Sequence, residues 1–293
     1  MDLKKVRKFQ ARYRVEDGKG FRLKDHDPAD TGGLSLEKDA AKALLQDGIA
    51  LLSQQQDMLY AQDRWAVLCL FQAMDAAGKD GAIKHVFSGV NPQGVRVTSF
   101  KAPGPLERDH DFLWRHMVTL PPRGEIGIHN RSWYEEVLVA RVHPEILAGQ
   151  KLPPELRTKR IYDERLEDIA NVERYLSRQG VVILKFFLNV SQEEQRRRFL
   201  SRIEEPEKNW KFSASDVAER AHWDDYQDAY EKAIRATAAP HAPWYVVPAD
   251  NKWFTRLIVA AAIATALGEL DLHYPKVGPE AMARLQAARK ELE

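Results

Sequence analysis

Residues 66–87 read AVLCLFQAMDAAGKDGAIKHVF, and the fold follows from how this stretch divides. Ala66–Gln72 is a continuous apolar run, the right length for a strand buried on both faces. Gly78–Phe87 has helical spacing, and small residues lie between the two, as a tight strand-to-helix turn demands. A loop entering a helix in this way offers unpaired N–H groups and the positive end of the helix dipole to an anion. The usual phosphate loop is G-x-x-x-x-G-K-[ST]. Here Gly78 and Lys79 are in place, Ala73 stands at the first glycine, and Asp80 stands where the Mg-binding hydroxyl belongs. Ala76, Ala77 and Gly78 let phosphate oxygens approach the backbone, and Lys79 supplies a point charge. Asp75 is then the first candidate for a metal ligand and Asp80 the second, because hard divalent cations take oxygen ligands. Lys84, one turn along the same helix, joins the phosphate-binding set. A plain strand-to-helix turn with a capping aspartate is the competing reading.

Outward from this unit the same rhythm repeats. Strands are expected at Ala66–Gln72, Val95–Phe100, Glu125–His129, Val181–Leu188 and Trp244–Val247. Helices are expected at Gly78–Phe87, Leu106–Met117, Trp133–Val142, Glu155–Arg178 and Trp253–Leu270. Five strands separated by helices, without hairpin signals, predict an α/β fold: one parallel sheet covered on both faces. A long helix over 36–63 precedes the first strand, opened by a capping-box pattern at Ser35. Residues 1–35 lack periodicity and read as an arm packing on the body or on a neighbouring subunit. No internal repeat or low-complexity linker divides the chain, so a single domain over 1–293 is expected. Ser191–Pro240 is far longer than a crossover needs and is rich in charge, which reads as helices standing off the sheet as a lid.

Two further places carry candidate chemistry. The strand at Glu125–His129 runs into Asn130, Arg131 and Ser132. Arg131 should emerge at the carboxyl edge of the sheet, where open α/β sheets bind ligands, and its planar cation suits a transferring phosphoryl group. A salt-bridge role for Arg131 is the alternative. Ser132 reads as a helix cap with Glu135 completing a capping box, and Glu135 is also a candidate for nucleotide contact alongside Asn130. In the lid, Arg198 and Arg202 fall at i and i+4, and Lys208 and Lys211 follow around Trp210. Closed over the loop, this basic segment would suit a long anionic substrate.

The bulk composition limits the alternatives. Lys+Arg (44) nearly balances Asp+Glu (43), which argues against a dedicated nucleic-acid binder and leaves anion affinity to local clustering. The single cysteine, Cys69, permits no intrachain disulfide and suits a reducing cytoplasm. The basic N-terminus has no apolar segment behind it, and Leu257–Leu267 falls short of the ~20 residues a membrane span requires. The nine histidines show no HxxxH or HxH spacing.

Together FQAMDAAGKDGAIKHVF, GVNPQGVRVTSF, HNRSWYEEVLVARVH, ILKFFLNVSQEEQRRRFLSRIEEPEKNWKFSASD and APWYVVPADNKWF resemble the polyphosphate kinase 2 family, over roughly Phe21 to Tyr274. The resemblance implies a P-loop kinase-like three-layer α/β/α sandwich with a helical lid. It implies transfer of a terminal polyphosphate phosphoryl to a nucleoside mono- or diphosphate, reversibly and without a covalent intermediate. Mg²⁺ is the implied cofactor, with Mn²⁺ as a substitute. Asp75, Gly78 and Lys79 map onto the family's Walker-A element, and Asn130, Arg131 and Ser132 onto its Asn/Asp-Arg-Ser element. Ser191–Asp216 maps onto the lid, with Asp216 a further acidic partner for metal. The QAMDAAGKDG and SWYEE variants are most similar to the subgroup accepting AMP and ADP. A homo-oligomer, dimer or tetramer, is implied on the same ground. The rival is a nucleoside monophosphate kinase with ATP as donor, which should carry a conventional Gly-x₄-Gly-Lys-Ser/Thr loop.

Overall fold

The computed structural model describes residues 8–34 and 38–293. Its strands are β1 (Arg14–Val15), β2 (Ala66–Ala73), β3 (Val95–Ser99), β4 (Ile126–Asn130), β5 (Val181–Asn189) and β6 (Trp244–Pro248). Helices of eight residues or more are α1 (Lys38–Gln62), α2 (Lys79–Val86), α3 (Ile161–Arg178), α4 (Gln192–Glu204), α5 (Trp223–Thr237), α6 (Lys252–Leu267) and α7 (Pro279–Leu292). The sheet order is β1-β6-β5-β2-β4-β3, parallel from β6 to β3. The five expected strands are all present, but the sheet has six. The arm adds β1, which pairs antiparallel with β6 through Arg14 opposite Tyr245 and Val15 opposite Trp244. Two residues embedded in a charged segment give no period, which is why the sequence conceals this strand.

Central strands β2 and β5 are buried along nearly their whole length, as a strand covered on both faces must be. Helices α1, α2 and α6 cover one face, and α3 and α5 the other. Helix α6 is apolar around its whole circumference because it lies between the sheet and α1. Gln55 of α1 donates to the Ala264 carbonyl at 2.9 Å and holds the two together. The arm packs on the body, with Tyr13, Phe21 and Leu23 buried.

Several expected helices are shorter than the patterning suggests. Leu106–Met117 forms two separate turns, Pro105–Arg108 and Trp114–Met117. Trp133–Val142 forms a 3₁₀ turn at Trp133–Glu136 and a single α turn at Val139–Val142. The helix expected from Glu155 begins at Ile161, after a separate 3₁₀ turn at Pro154–Leu156 that ends at Arg157, whose ψ of 60° leaves the helical path. The Ser35 capping box lies outside the described residues. Ser191–Pro240 is not a free-standing lid throughout. Glu194, Gln195, Arg198 and Phe199 of α4 are buried, as are Tyr226, Ala229, Tyr230, Ala233 and Ile234 of α5. Residues 200–222, a 3₁₀ segment at Pro206–Lys211 and a turn at Ala214–Glu219, form the exposed remainder.

One polar network crosses the core. Lys185 of β5 and Glu173 of α3 are fully buried and 2.5 Å apart. Lys185 also donates to the Thr237 carbonyl at 2.7 Å, and Tyr134 donates to Glu173 at 2.7 Å. Burial drives Lys185 down and Glu173 up in pKa; their contact opposes both shifts, and hydrogen bonds from Tyr134 and Trp133 further oppose the rise at Glu173. Glu173→Ala would leave a buried cation unpaired and is expected to destabilise the protein by about 3–5 kcal/mol, read as a shift in denaturant midpoint. Two buried histidines set a pH dependence. Burial pushes His116 down to about 2 and His129 down to about 4, so both stay neutral in the fold. The unfolded chain protonates them near 6.5, so stability falls as pH drops below that value. Between pH 6.5 and 5 the loss should be about 1.6 kcal/mol per histidine, and His116→Gln should show about half the total.

Candidate active site

β2 continues toward β3 at one edge of the sheet, while its neighbour β5 continues toward β6 at the other. The crevice between their carboxyl ends is a topological switch point. The loop after β2 sits there and opens a cleft of about 830 Å³. Gly78 lies at φ 106°, a conformation that side chains resist, and so the turn into α2 requires glycine. Ala76 also has positive φ, at 59°. The first N–H groups of α2, from Lys79 onward, have no carbonyl within the helix to meet.

The loop is held from behind by α4. Gln195 donates to the Asp75 carbonyl at 2.9 Å. Arg198 donates to the carbonyls of Ala76 at 3.1 Å and Ala77 at 2.6 Å, and to that of Ala249 at 2.6 Å. Glu194, also buried, accepts from Arg198 Nε at 2.6 Å. Arg198 was expected to bind phosphate directly. It lines the cleft, and its donors are engaged with the backbone carbonyls that fix the loop's course.

Lys79 points back to the loop, donating to the Ala73 carbonyl at 3.0 Å. Burial and the nearby Arg131 cation lower its pKa, while Asp75, Glu135 and Asp80 hold its charge. Arg131 takes φ 68°, a strained conformation for a long side chain, and donates its own N–H to the Phe71 carbonyl. Its guanidinium meets Glu135 at 3.2 Å and Asp75 at 3.4 Å. Glu135 foremost, and then Asp75, raise its pKa. Arg131 thus makes the salt bridges of the alternative reading and lines the cleft as well.

Glu135 does not complete a capping box. Ser132 does cap, accepting from the Tyr134 N–H at 3.3 Å, but Glu135 turns instead to Arg131 and to Gln72, at 2.7 Å. It orients the arginine and does not itself line the cleft. Glu136 accepts from Arg165 at 3.0 Å, a buried structural pair. Asn130, expected to contact nucleotide, lines the cleft and donates to Asp80 at 2.7 Å. Lys84 is exposed on α2 and lies outside the cleft lining, which leaves it without the expected contact.

Arg202, Lys208 and Lys211 reach the cleft from the lid. Arg202 donates to Asp216 at 3.1 Å, Lys208 to Ser201 at 2.9 Å, and Lys211 lies 4.9 Å over the Trp210 ring. Burial raises the Asp216 pKa, and the Asp75 carboxylate raises it further. Both carboxylates are ion-paired, Asp216 with Arg202 at 3.1 Å and Asp75 with Arg131 at 3.4 Å, and these cations oppose the rise at Asp216 without cancelling it. That suits a divalent metal, and Mg²⁺ commonly binds through one or two carboxylates plus substrate phosphates. Among the described residues no three His, Cys, Asp or Glu side chains converge, so phosphate oxygens and water would have to complete such a shell.

The sequence reading missed Lys101, Lys252 and Arg256. All three line the cleft, and among the described residues their side chains make no hydrogen bond or ion pair. Burial lowers the pKa of Lys252, and Arg198 lowers it further. Lys252 and Arg256 are spaced i, i+4 at the start of an apolar helix, and Lys101 follows the carboxyl end of β3. Both positions were readable as ligand-facing signals.

A phosphate loop at the switch point of a parallel sheet, under a basic cleft, defines a P-loop kinase-like α/β enzyme. The chain belongs to the polyphosphate kinase 2 family, whose model matches residues 35–274. It is 52% identical over 256 residues to the ADP-polyphosphate phosphotransferase of Rhodopseudomonas palustris, covering 87% of this chain and 89% of that one. It is 43% identical over 265 residues to the AMP/ADP-polyphosphate phosphotransferase of Meiothermus ruber, covering 90% and 95%. The crystal structure of polyphosphate kinase 2 from Arthrobacter aurescens TC1 superposes with a TM-score of 0.86 at 40% identity, covering 95% and 96%. Nothing in these matches supports the rival with ATP as donor.

Unpaired cations should matter most for holding an anion. Lys252→Ala and Arg256→Ala are each expected to raise KM for a long polyanion about three- to tenfold, more steeply at low salt, with kcat little changed. Arg198→Ala should instead lower kcat by at least about tenfold, because a displaced loop misplaces the reacting groups. Steady-state kinetics at two ionic strengths separate the two behaviours.

Proposed function

We propose that this protein transfers the terminal phosphoryl group of inorganic polyphosphate to nucleoside mono- and diphosphates, AMP to ADP and ADP to ATP, and catalyses the reverse. The observation that carries the reading is the pairing of a carboxylate-bearing phosphate loop with three unpaired cations along one cleft. A nucleotide alone does not need so extended a basic surface. The relatives named for AMP/ADP and ADP support the acceptor class.

In the proposed reaction an acceptor phosphate oxygen attacks the terminal phosphorus of the polyphosphate. A new P–O bond forms as the P–O bond to the shortened chain breaks, in line and without a covalent enzyme intermediate. The attacking oxygen is already ionised, so no general base is required. Such a transition state is loose and spreads charge over the transferred oxygens, so positioning and electrostatics supply most of the acceleration. Lys79 and Arg131 stand at the loop to neutralise that charge, with Arg131 oriented by Glu135. Lys101, Lys252 and Arg256 hold the chain away from the reacting end. Asp75 and Asp216 would hold Mg²⁺, which when bound screens the repulsion between donor and acceptor phosphates.

The test is purified protein with Mg²⁺, polyphosphate and AMP, ADP, GMP or GDP, resolved by chromatography. New ADP from AMP and ATP from ADP are expected, and no new nucleotide with any acceptor would sink the proposal. Asp75→Asn and Lys79→Ala should each lower turnover by about a hundredfold or more while the folded protein persists.

A further inference from the structure

A cluster outside the cleft joins the lid segment to the body. His143 follows the Val139–Val142 turn, Glu219 ends the Ala214–Glu219 turn, and Tyr226 lies on α5. His143 Nε2 is 3.0 Å from Glu219 Oε2, and Tyr226 donates to the same oxygen at 2.8 Å. His143 Nδ1 is 3.2 Å from Glu145 Oε1. The His222 ring packs edge-on at 5.0 Å between centroids. With a carboxylate at each ring nitrogen, both nitrogens act as donors, which is the imidazolium form. Partial burial opposes that charge, but Glu219 and then Glu145 outweigh it and raise the ring's pKa above 6.5.

The turn that ends at Glu219 also carries Asp216, whose partner Arg202 lines the cleft together with Asp75 of the phosphate loop. Arg202 restrains Asp216 from the α4 side. At the far end of the turn, Glu219 is tied to two separate elements of the body. We propose that His143 is a positioning residue that, through Glu219, clasps the turn presenting Asp216 to the phosphate loop. The proposal rests on the reading of Asp216 as a carboxylate facing the metal. Without the clasp the turn loosens, and metal affinity falls while the reacting groups of the loop stay in place.

Three measurements on the full chain test this. In the metal-free protein, amide exchange over residues 213–222 should be about fivefold faster in His143→Gln and in Tyr226→Phe than in the unaltered chain. Mn²⁺ binding followed by electron paramagnetic resonance, with a non-hydrolysable nucleotide present, should weaken by a similar factor. In kinetics, the Mg²⁺ concentration for half-maximal rate should rise while the rate at saturating Mg²⁺ is largely kept. As pH rises from about 6.5 to 8.5, Mn²⁺ affinity of the unaltered chain should fall as His143 loses its charge, opposite to the trend set by carboxylate ligands. His143→Gln should lack that fall. Unchanged exchange in both variants would overturn the clasp, and faster exchange with unaltered Mn²⁺ affinity would overturn its link to Asp216. Absence of phosphoryl transfer in the unaltered chain would count against the proposed function and leave the exchange result standing.

Discussion

Three successive carbonyls of the loop after β2, those of Asp75, Ala76 and Ala77, are taken up by two side chains of α4. Everything at the site depends on this capture. The Ala77 N–H closes the turn onto the Met74 carbonyl at 3.2 Å, and residues 75–82 line the cleft. The positive φ values at Ala76 and Gly78 are the conformational cost of that arrangement. Arg198 can do this because a guanidinium reaches several acceptors at once, and Glu194 orients it from the back. The same residue also holds the Ala249 carbonyl after β6, so the phosphate loop and the far strand end share one anchor.

The charges around the cleft fall into two groups by what already occupies them. Arg131, Arg202 and Lys208 are partnered within the chain, which limits their freedom and fixes their direction. Lys101, Lys252 and Arg256 are not, and an anion entering the cleft gives them their counter-charge. Cations of the first group favour precise placement at the point of transfer. Those of the second favour capture of an extended chain whose exact register is unimportant, since any phosphate along it serves equally.

Most of the architecture was legible because buried parallel strands announce themselves as apolar runs and glycine marks the turn. The placement of Asp75, Lys79 and Arg131 along the cleft was legible because the motifs that carry them sit at strand ends. The assignments that changed were those whose outcome depends on distant partners. Nothing near Arg198 in the chain reveals that it faces the carbonyls of residues 76 and 77. Lys252 and Arg256 were masked by their helix, whose apolar content reads as core and draws attention away from its first turn. Strand β1 was invisible because two residues are too few to show alternation.

That small strand has a consequence for how the molecule assembles. Arg14 pairs with Tyr245, and beyond it the arm meets the ends of β5 and β6. Asn189 donates to the His26 carbonyl at 2.8 Å, and Asp250 to that of Pro28 at 3.1 Å. The portion of the chain made first therefore docks onto a strand made near the end, across the longest loop closure in the sheet. During synthesis the arm must wait for β6 to emerge, and until then it has no strand to pair with. Closing the edge of β6 is thus a late event in biogenesis, and it coincides with completion of the same strand ends that anchor the phosphate loop.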